Sequence, residues 1–181
     1  GEKRDVTSNA ARDARLVEDV VFAVRPYGPD GHYYANFGYA CTDPTYWIHG
    51  QDGGRLCRLD VRTGDVTALV DDPSGAVRDP QVHYDGQTIL FSYRKNLEDD
   101  YHIYEVEIGD STPRQLTRAK GVADIDPLYL PGGGIVFSST REPKYCMCNR
   151  HIMANLFKME TDGANIHQIG KSTLFEGHSS L

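Results

Sequence analysis

The chain has 181 residues, of which 39% are hydrophobic and 25% are charged, as in an ordinary globular domain. Its 26 acidic residues outnumber 19 Lys and Arg, and the net charge of −7 excludes the basic surface on which most nucleic-acid binders depend. The longest purely apolar run, residues 20–24, is far too short for a membrane-spanning helix. We therefore expect no nucleic-acid partner and no membrane span.

The first residues predict a processed chain. It opens on Gly1 without a Met or an apolar leader, so we expect that any export signal is already gone. We assign residues 1–16 to an N-terminal extension and expect a periplasmic or extracellular protein. The last residues fall inside a repeat, so we expect a fragment of something longer.

Three segments of the chain align without gaps over twelve residues. They are residues 59–70, 106–117 and 159–170. In each, the end of an apolar strand runs into a turn with Gly or Asp and then into a short strand, which predicts a hairpin. Upstream of these hairpins lie matching strands at 21–25, 90–94 and 136–141, and two of those strands follow an Asp-Pro strand and a tight turn at 79–86 and 126–133.

The repeat unit is therefore four short antiparallel strands. Units of this size arranged radially are the blades of a β-propeller, and a parallel solenoid fits less well because every connection has hairpin length. We predict an all-β fold, a partial β-propeller over residues 17–181. Its blades are expected at about 17–73, 74–120 and 121–173, with the start of a fourth at 174–181.

The pattern Asp-Pro, Gly, strand, Arg, strand, Asp-Gly, strand resembles the TolB-type propeller repeat. The runs 32–39, 78–86 and 89–94 resemble more closely the middle propeller domain of the hydrazine synthase alpha-subunit family. This resemblance covers roughly residues 17–181 and implies the fold. It does not carry over hydrazine synthesis, because that enzyme is a multihaem protein and the Cys-x-x-Cys-His motif for covalent haem is absent here.

Three blades and the start of a fourth are too few to close a ring, and an open arc exposes apolar faces and strand edges. We therefore expect the remainder of the parent propeller, or other domains of the same protein, as the partner. A homo-oligomer is the alternative way for a fragment to cover these surfaces.

Differences in length between the blades predict a binding face. All of them fall between the second and third strands, where residues 26–54 and 142–154 form insertions. In a propeller these connections share one face with the links between blades, and we call it the insertion face. Its aromatic side chains can stack on a sugar or a partner protein, or can form the local core of the insertion. The predicted ligand-binding residues are His32, Tyr33, Tyr34, Trp47, His49, Asp79 and Asp126.

Cys146, Cys148 and His151 have the spacing Cys-x-Cys-x-x-His on this face, and His178 is a fourth candidate ligand. Two thiols and an imidazole suit a soft ion such as zinc or copper(I). The alternatives are free thiols, or a disulfide to Cys41 in an exported protein.

Two repeated polar positions have a structural alternative. Asp79 and Asp126 stand before Pro and could form an acid–base pair, but Asp at the entrance of a blade more often caps backbone amides. Arg25, Arg94 and Arg141 recur after the second strand, where they could pair with these carboxylates.

The sequence contains no nucleophile elbow, Walker loop or His-Glu-x-x-His motif. The leading hypothesis is a non-catalytic scaffold or binding domain of an exported multidomain protein. A metal- or haem-associated redox component and a carbohydrate-binding or carbohydrate-processing propeller are the alternatives, since fold alone does not choose between functions.

Overall fold

The structure is a computed structural model that describes residues 17–26, 39–40, 43–47, 53–96, 98–145 and 152–172. These residues form thirteen β-strands: β1 (Asp19–Val24), β2 (Tyr39–Ala40), β3 (Asp43–Trp47), β4 (Gly54–Asp60), β5 (Val66–Asp72), β6 (Ala76–Val82), β7 (Thr88–Arg94), β8 (His102–Glu107), β9 (Arg114–Gln115), β10 (Asp124–Tyr129), β11 (Ile135–Tyr145), β12 (Ile152–Met159) and β13 (His167–Gln168). Within these ranges no helix is long and apolar enough to cross a membrane.

The strands form three successive antiparallel sheets, as the repeats predict. The first sheet has the order β1-β4-β5, the second β6-β7-β8-β9 and the third β10-β11-β12-β13. Strands β2 and β3 form a separate hairpin between β1 and β4. The all-β prediction and the partial propeller built from such blades are confirmed.

Short turns set the register of each sheet. Between β6 and β7 the carboxylate of Asp85 accepts hydrogen bonds from the amides of Gln87 and Thr88, at 2.7 and 2.9 Å. These bonds lower the pKa of Asp85 well below its usual range. The left-handed backbone of Gly86, with φ of +70°, completes a turn that few other residues tolerate.

The strand registers define equivalent positions in the three sheets. Phe91 pairs with Tyr104, and Phe137 pairs with Phe157. Phe22 pairs with Cys57 in the same column of the first sheet. Cys57 is 2% exposed and burial raises the pKa of its thiol. Residues 57, 104 and 157 each lie two positions before an aligned twelve-residue segment, so the repeats predict the small apolar strand residue that Cys57 is.

The core consists of layers between neighbouring sheets. Phe91 and Tyr93 pack against Leu56 and Val70 between the first and second sheets. On the other side of the second sheet, Leu90 packs with the third-sheet core. Alternate residues of β7 thus face different neighbours, so both faces of the second sheet are buried and the three sheets are stacked face to face.

The second insertion differs from the sequence prediction. Residues 142–145 continue β11, and residues 152–154 belong to β12, with Tyr145 paired to Ile152. A break in register between Ser139 and Lys144 separates this extension from the blade. The described part of the insertion is therefore an extended hairpin rather than a loop, because its backbone groups continue the ladder of the sheet.

Candidate functional site

The insertion face is held together by hydrogen bonds between connections and links. The amide of Gly53, which precedes β4, donates to the carbonyl of Gly75 at 3.0 Å. Further along the face, the amide of Asp124 donates to the carbonyl of Tyr101 at 2.8 Å, and the Asp100 carboxylate accepts from the amide of Gly121 at 2.7 Å. The ends of the sheets thus meet where the sequence predicts them to meet.

Below this face, a charged cluster joins the inner strands β6 and β10. Arg78 Nε donates to Asp79 Oδ2 at 2.6 Å, and Arg78 Nη2 lies 3.7 Å from Asp126 Oδ1. Asp79 Oδ2 also accepts from the Ser92 hydroxyl and from the amide of Asp126, both at 3.3 Å. One carboxylate therefore connects its own sheet to the next one.

The backbone at both aspartates is unusual. Asp79 and Asp126 have φ of +54° and +51°, in the left-handed region that residues other than Gly rarely adopt. Each lies at a break in register, between Arg78 and Gln81 in β6 and between Ile125 and Leu128 in β10. Such bulges redirect a side chain, and Asp tolerates the left-handed region better than most residues.

The electrostatics keep this cluster charged. Burial disfavours the charged guanidinium of Arg78, but the carboxylates of Asp79 and Asp126 raise its pKa above the usual value. Burial would likewise raise the pKa of Asp79, yet the charge and hydrogen bond of Arg78 and the amide of Asp126 lower it. The Arg78 side chain is 3% exposed, so its ion pair with Asp79 is largely shielded from water.

Tyr101 lies between two of the buried arginines. The guanidinium carbons of Arg78 and Arg94 are each 5.6 Å from the centre of its ring. A cation above an aromatic face is attracted to the ring electrons, and more strongly where water is excluded. Tyr101 therefore stabilises two like charges that would otherwise repel each other inside the fold.

Of the arginines predicted to pair with Asp79 and Asp126, Arg25 contributes its charge to the lowered pKa of Asp79, whereas Arg141 has other partners. By strand register, Arg94 is equivalent to Thr140, so Arg141 lies one position further along β11. Its guanidinium donates to Asp124 and to Ser139 instead. The extra residue in the run Ser138-Ser139-Thr140 explains why the sequence alignment placed Arg141 in the wrong column.

The predicted site residues are described to different extents. Asp79 and Asp126 are brought together by Arg78, and Trp47 ends strand β3, where its backbone pairs with that of Tyr39. The others lie outside the described residues: His32, Tyr33, Tyr34, His49, Cys146, Cys148, His151 and His178. Among the residues that are described, no group of three or more His, Cys, Asp or Glu side chains is arranged to hold a metal ion.

Two clefts of the described structure are bordered by residues outside the insertions 26–54 and 142–154. One of about 530 Å³ opens between the second and third sheets, at the face of the short turns, and is bordered by His83, Glu105, Arg114 and Tyr129. Tyr129 donates to Glu105 at 2.7 Å, and burial, together with this hydrogen bond, raises the pKa of the Tyr129 hydroxyl. Another, of about 590 Å³, lies along β5 at the outer rim.

Solved structures share this arrangement of blades. TolB from Agrobacterium tumefaciens, described as putative, matches with a TM-score of 0.51 and 21% identity over 64% of this chain. Hydrazine synthase from Kuenenia stuttgartiensis matches with a TM-score of 0.58 and 20% identity over 80% of this chain. The chain has a TolB-like β-propeller fold. No protein-family model and no curated protein sequence matches it.

The TolB-like chain is short beside these structures. It spans 40% of the Agrobacterium protein and 21% of the hydrazine synthase chain. An oligogalacturonate lyase from Vibrio parahaemolyticus also matches, with a TM-score of 0.50, 16% identity and coverage of 83% of this chain and 38% of that one. Proteins with different activities thus share the fold, so these similarities identify architecture and not chemistry.

Sequence reasoning missed Arg78, the residue on which the buried cluster depends. Its equivalent in the third sheet is Ile125, so no repeat marked the position. The signal that could have found it is the pair Arg78-Asp79 directly after the buried apolar residues Ala76 and Val77. A buried strand rarely keeps an Arg unless a carboxylate lies nearby.

Proposed function

We propose that this chain is a non-catalytic scaffold and binding domain of a larger, exported β-propeller protein. The observation that supports the proposal is the contact of Asp79 with Arg78 and with the amide of Asp126. Through this contact, a carboxylate that recurs in the repeats joins one blade to the next. Periplasmic or extracellular location and partnership with the rest of the propeller are parts of the same proposal.

The electrostatics favour this role for Asp79 over acid–base catalysis. A general acid or base works best when its pKa lies near the operating pH. The charge and hydrogen bond of Arg78 lower the pKa of Asp79, so the carboxylate stays ionised at neutral pH. Its Oδ2 atom already accepts three hydrogen bonds, which leaves it poorly placed to take a proton from a substrate.

Asn variants of Asp79 and Asp126 test the scaffold role, with stability and activity measured on the same samples. We expect Asp79→Asn to lower stability and neither variant to change any turnover. The activity arm uses oligogalacturonate, because a structure with this fold is a lyase for that substrate. The scaffold proposal would be contradicted if the wild-type chain turned over this substrate and a folded Asp126→Asn variant did not. That result would favour the carbohydrate-processing alternative.

The insertion face is the proposed binding surface. Two of its connections are longer than a hairpin needs: β1 and β4 are separated by β2 and β3, and β11 and β12 extend beyond the blade. Extra chain on one face of a rigid scaffold is where proteins commonly carry binding residues. A glycan array separates the candidate partners, since binding abolished by Trp47→Ala favours a sugar ligand, and a blank array favours a protein partner.

A metal site is the second candidate function, and one described contact favours it. Tyr145 and Ile152 are paired, so the chain between them, which carries Cys146, Cys148 and His151, starts and ends at adjacent positions of a hairpin. Thiolate and imidazole ligands suit zinc or copper(I). Elemental analysis tests it: stoichiometric metal should disappear in Cys146→Ser and Cys148→Ser but remain in Cys57→Ser, whose thiol is buried in β4.

A further inference from the structure

The outer strand of the first sheet is unlike its equivalents in the other two. Strand β5 has seven residues, whereas β9 and β13 have two each. In the described part of the chain, β5 pairs with β4 on one side and with no strand on the other. Its first three residues are exposed, with Val66 at 58%. A long bare edge of this kind offers backbone donors and acceptors to another extended chain.

A groove runs beside this edge. The cavity of about 590 Å³ is bordered by residues 68–72 of β5 and, from the second sheet, by Tyr93, Tyr104 and Gln115. A neighbouring cavity of about 360 Å³ shares Tyr104 and Gln115 and continues to residues 95–99. The short β9 strand leaves this space open, because it pairs with β8 only at Tyr104 and Glu105.

The floor of the groove contains a polar atom without a partner. The Tyr104 side chain borders both cavities and is 2% exposed, and its hydroxyl makes no hydrogen bond in the described structure. Burial raises its pKa to about 12, so the phenol stays protonated and can donate. A buried donor that is left unsatisfied is costly, and a carbonyl oxygen of a bound chain would satisfy it.

The charges around the groove select the chemistry of the occupant. Four carboxylates border the two cavities, those of Asp71, Asp72, Glu98 and Asp99, against the ammonium group of Lys95 and the nearby guanidinium of Arg118, which donates to the Gln115 carbonyl. Asp72 accepts the Tyr93 hydroxyl, and Asp99 Oδ2 accepts the amide of Lys95 at 3.1 Å. Asp71 and Glu98 are exposed, and no side-chain hydrogen bond is described for either carboxylate. The groove therefore favours a basic segment.

We propose that this groove binds an extended, basic peptide segment that adds as a strand to the free edge of β5. Backbone hydrogen bonds to residues 66–71 supply the affinity, and the acidic border selects alternating Lys or Arg side chains. The Tyr104 hydroxyl donates to a peptide carbonyl. This groove runs along β5 and reaches the insertion face at residues 95–99, but Trp47, whose variant tests the insertion face, is not among the described residues that border it.

The probe is a fluorescent octapeptide that alternates lysine and valine, measured by polarisation with the full chain. A glutamate–valine octapeptide and a proline octapeptide with lysine at both ends are the controls, because the first reverses the charge and the second lacks the backbone N–H groups that a ladder needs. We expect the lysine–valine peptide to bind best, to weaken as salt rises, and to protect the amides of residues 66–71 from hydrogen exchange.

Three variants make the test specific. Glu98→Lys should weaken binding about tenfold through like-charge repulsion, whereas Glu107→Lys, the same change at an exposed carboxylate of β8 outside the groove, should leave it unchanged. Tyr104→Phe should weaken binding without lowering the melting temperature. The proposal is overturned if the lysine–valine peptide does not bind, or if the two Lys variants weaken binding equally. It is also overturned if Tyr104→Phe binds as wild type does, or if the peptide protects amides outside residues 66–71.

Discussion

Replacing Asp79 by Asn tests the inter-blade contact most directly. Asn keeps the shape of the side chain and an oxygen that can accept from Ser92 and from the amide of Asp126. It also tolerates the left-handed backbone at this position, where φ is +54°. The substitution therefore removes the negative charge beside Arg78 and little else.

The expected loss of stability follows from the geometry. Removing one partner of a buried ion pair costs about 3–5 kcal/mol because the other charge stays buried and uncompensated. Here Asp126 still lies 3.7 Å from Arg78, which places Asp79→Asn at the lower end, about 3 kcal/mol. Because Asp126 lies farther from Arg78, we expect Asp126→Asn to lower the free energy of unfolding by only about 1 kcal/mol. Asp79→Ala adds about 1–2 kcal/mol, because Ala is disfavoured in the left-handed region.

Urea denaturation followed by far-ultraviolet circular dichroism measures these differences. The midpoint should fall in the order wild type, Asp126→Asn, Asp79→Asn, Asp79→Ala, with a common slope. A double-mutant cycle with Arg78→Met isolates the pair, because the coupling energy should account for most of the Asp79→Asn effect. The reasoning would be refuted if Asp79→Asn lowered the free energy of unfolding by less than about 0.5 kcal/mol, or by less than Asp126→Asn does.

The difference in stability between wild type and Asp79→Asn has a defined pH dependence. The folded-state pKa of Asp79 lies below its unfolded value, which is about 3.9. Its contribution to stability is therefore complete above that value and is lost as the pH falls through the folded pKa. The gap between wild type and Asp79→Asn should be constant near neutrality and should close only in strong acid.

Three further predictions rest on single sites. Gly75→Ala should lower the melting temperature, because a Cβ there would lie 2.8 Å from the backbone carbonyl oxygen of Arg94 and 2.7 Å from the Tyr93 ring; Gly132→Ala, where nothing lies within 4 Å, is the control. The Cys57 thiol, 2% exposed, should be alkylated only after unfolding, as peptide mapping by mass spectrometry will show, and labelling in the folded chain would contradict its burial. Tyr104→Phe should remove one phenol that titrates near pH 12 in ultraviolet difference spectra, and an unchanged titration curve would contradict that assignment.

The sequence predicted the blades because their signals are local. Asp-Gly turns and alternating apolar residues recur in register, and the same repeats assign Cys57 to the column in which it pairs with Phe22. The buried cluster was predicted only in part. Asp79 and Asp126 were singled out because they repeat, but Arg78 was not, since a contact between blades depends on packing that one repeat does not encode.

Two features depended on backbone detail that sequence patterns do not contain. Arg141 was placed in the column of Arg94, although strand pairing puts Thr140 there. The insertion 142–154 was predicted from the length of its blade, yet the backbone of residues 142–145 continues β11. In both cases hydrogen bonding along the ladder determined the outcome, and the spacing of residues in the sequence does not show where a ladder shifts or continues.

The separation of β1 from β4 along the chain has a consequence for the order of folding. In the second sheet, Val82 pairs with Ile89 across a tight turn, so this hairpin can form from neighbouring residues. In the first sheet, Asp19 pairs with Asp60, and this pairing requires that the whole first insertion is closed into a loop. Closing that loop costs conformational entropy before any pairing offsets it. The second and third sheets are therefore expected to form the nucleus, and β1 to add late, on the apolar surface that they present.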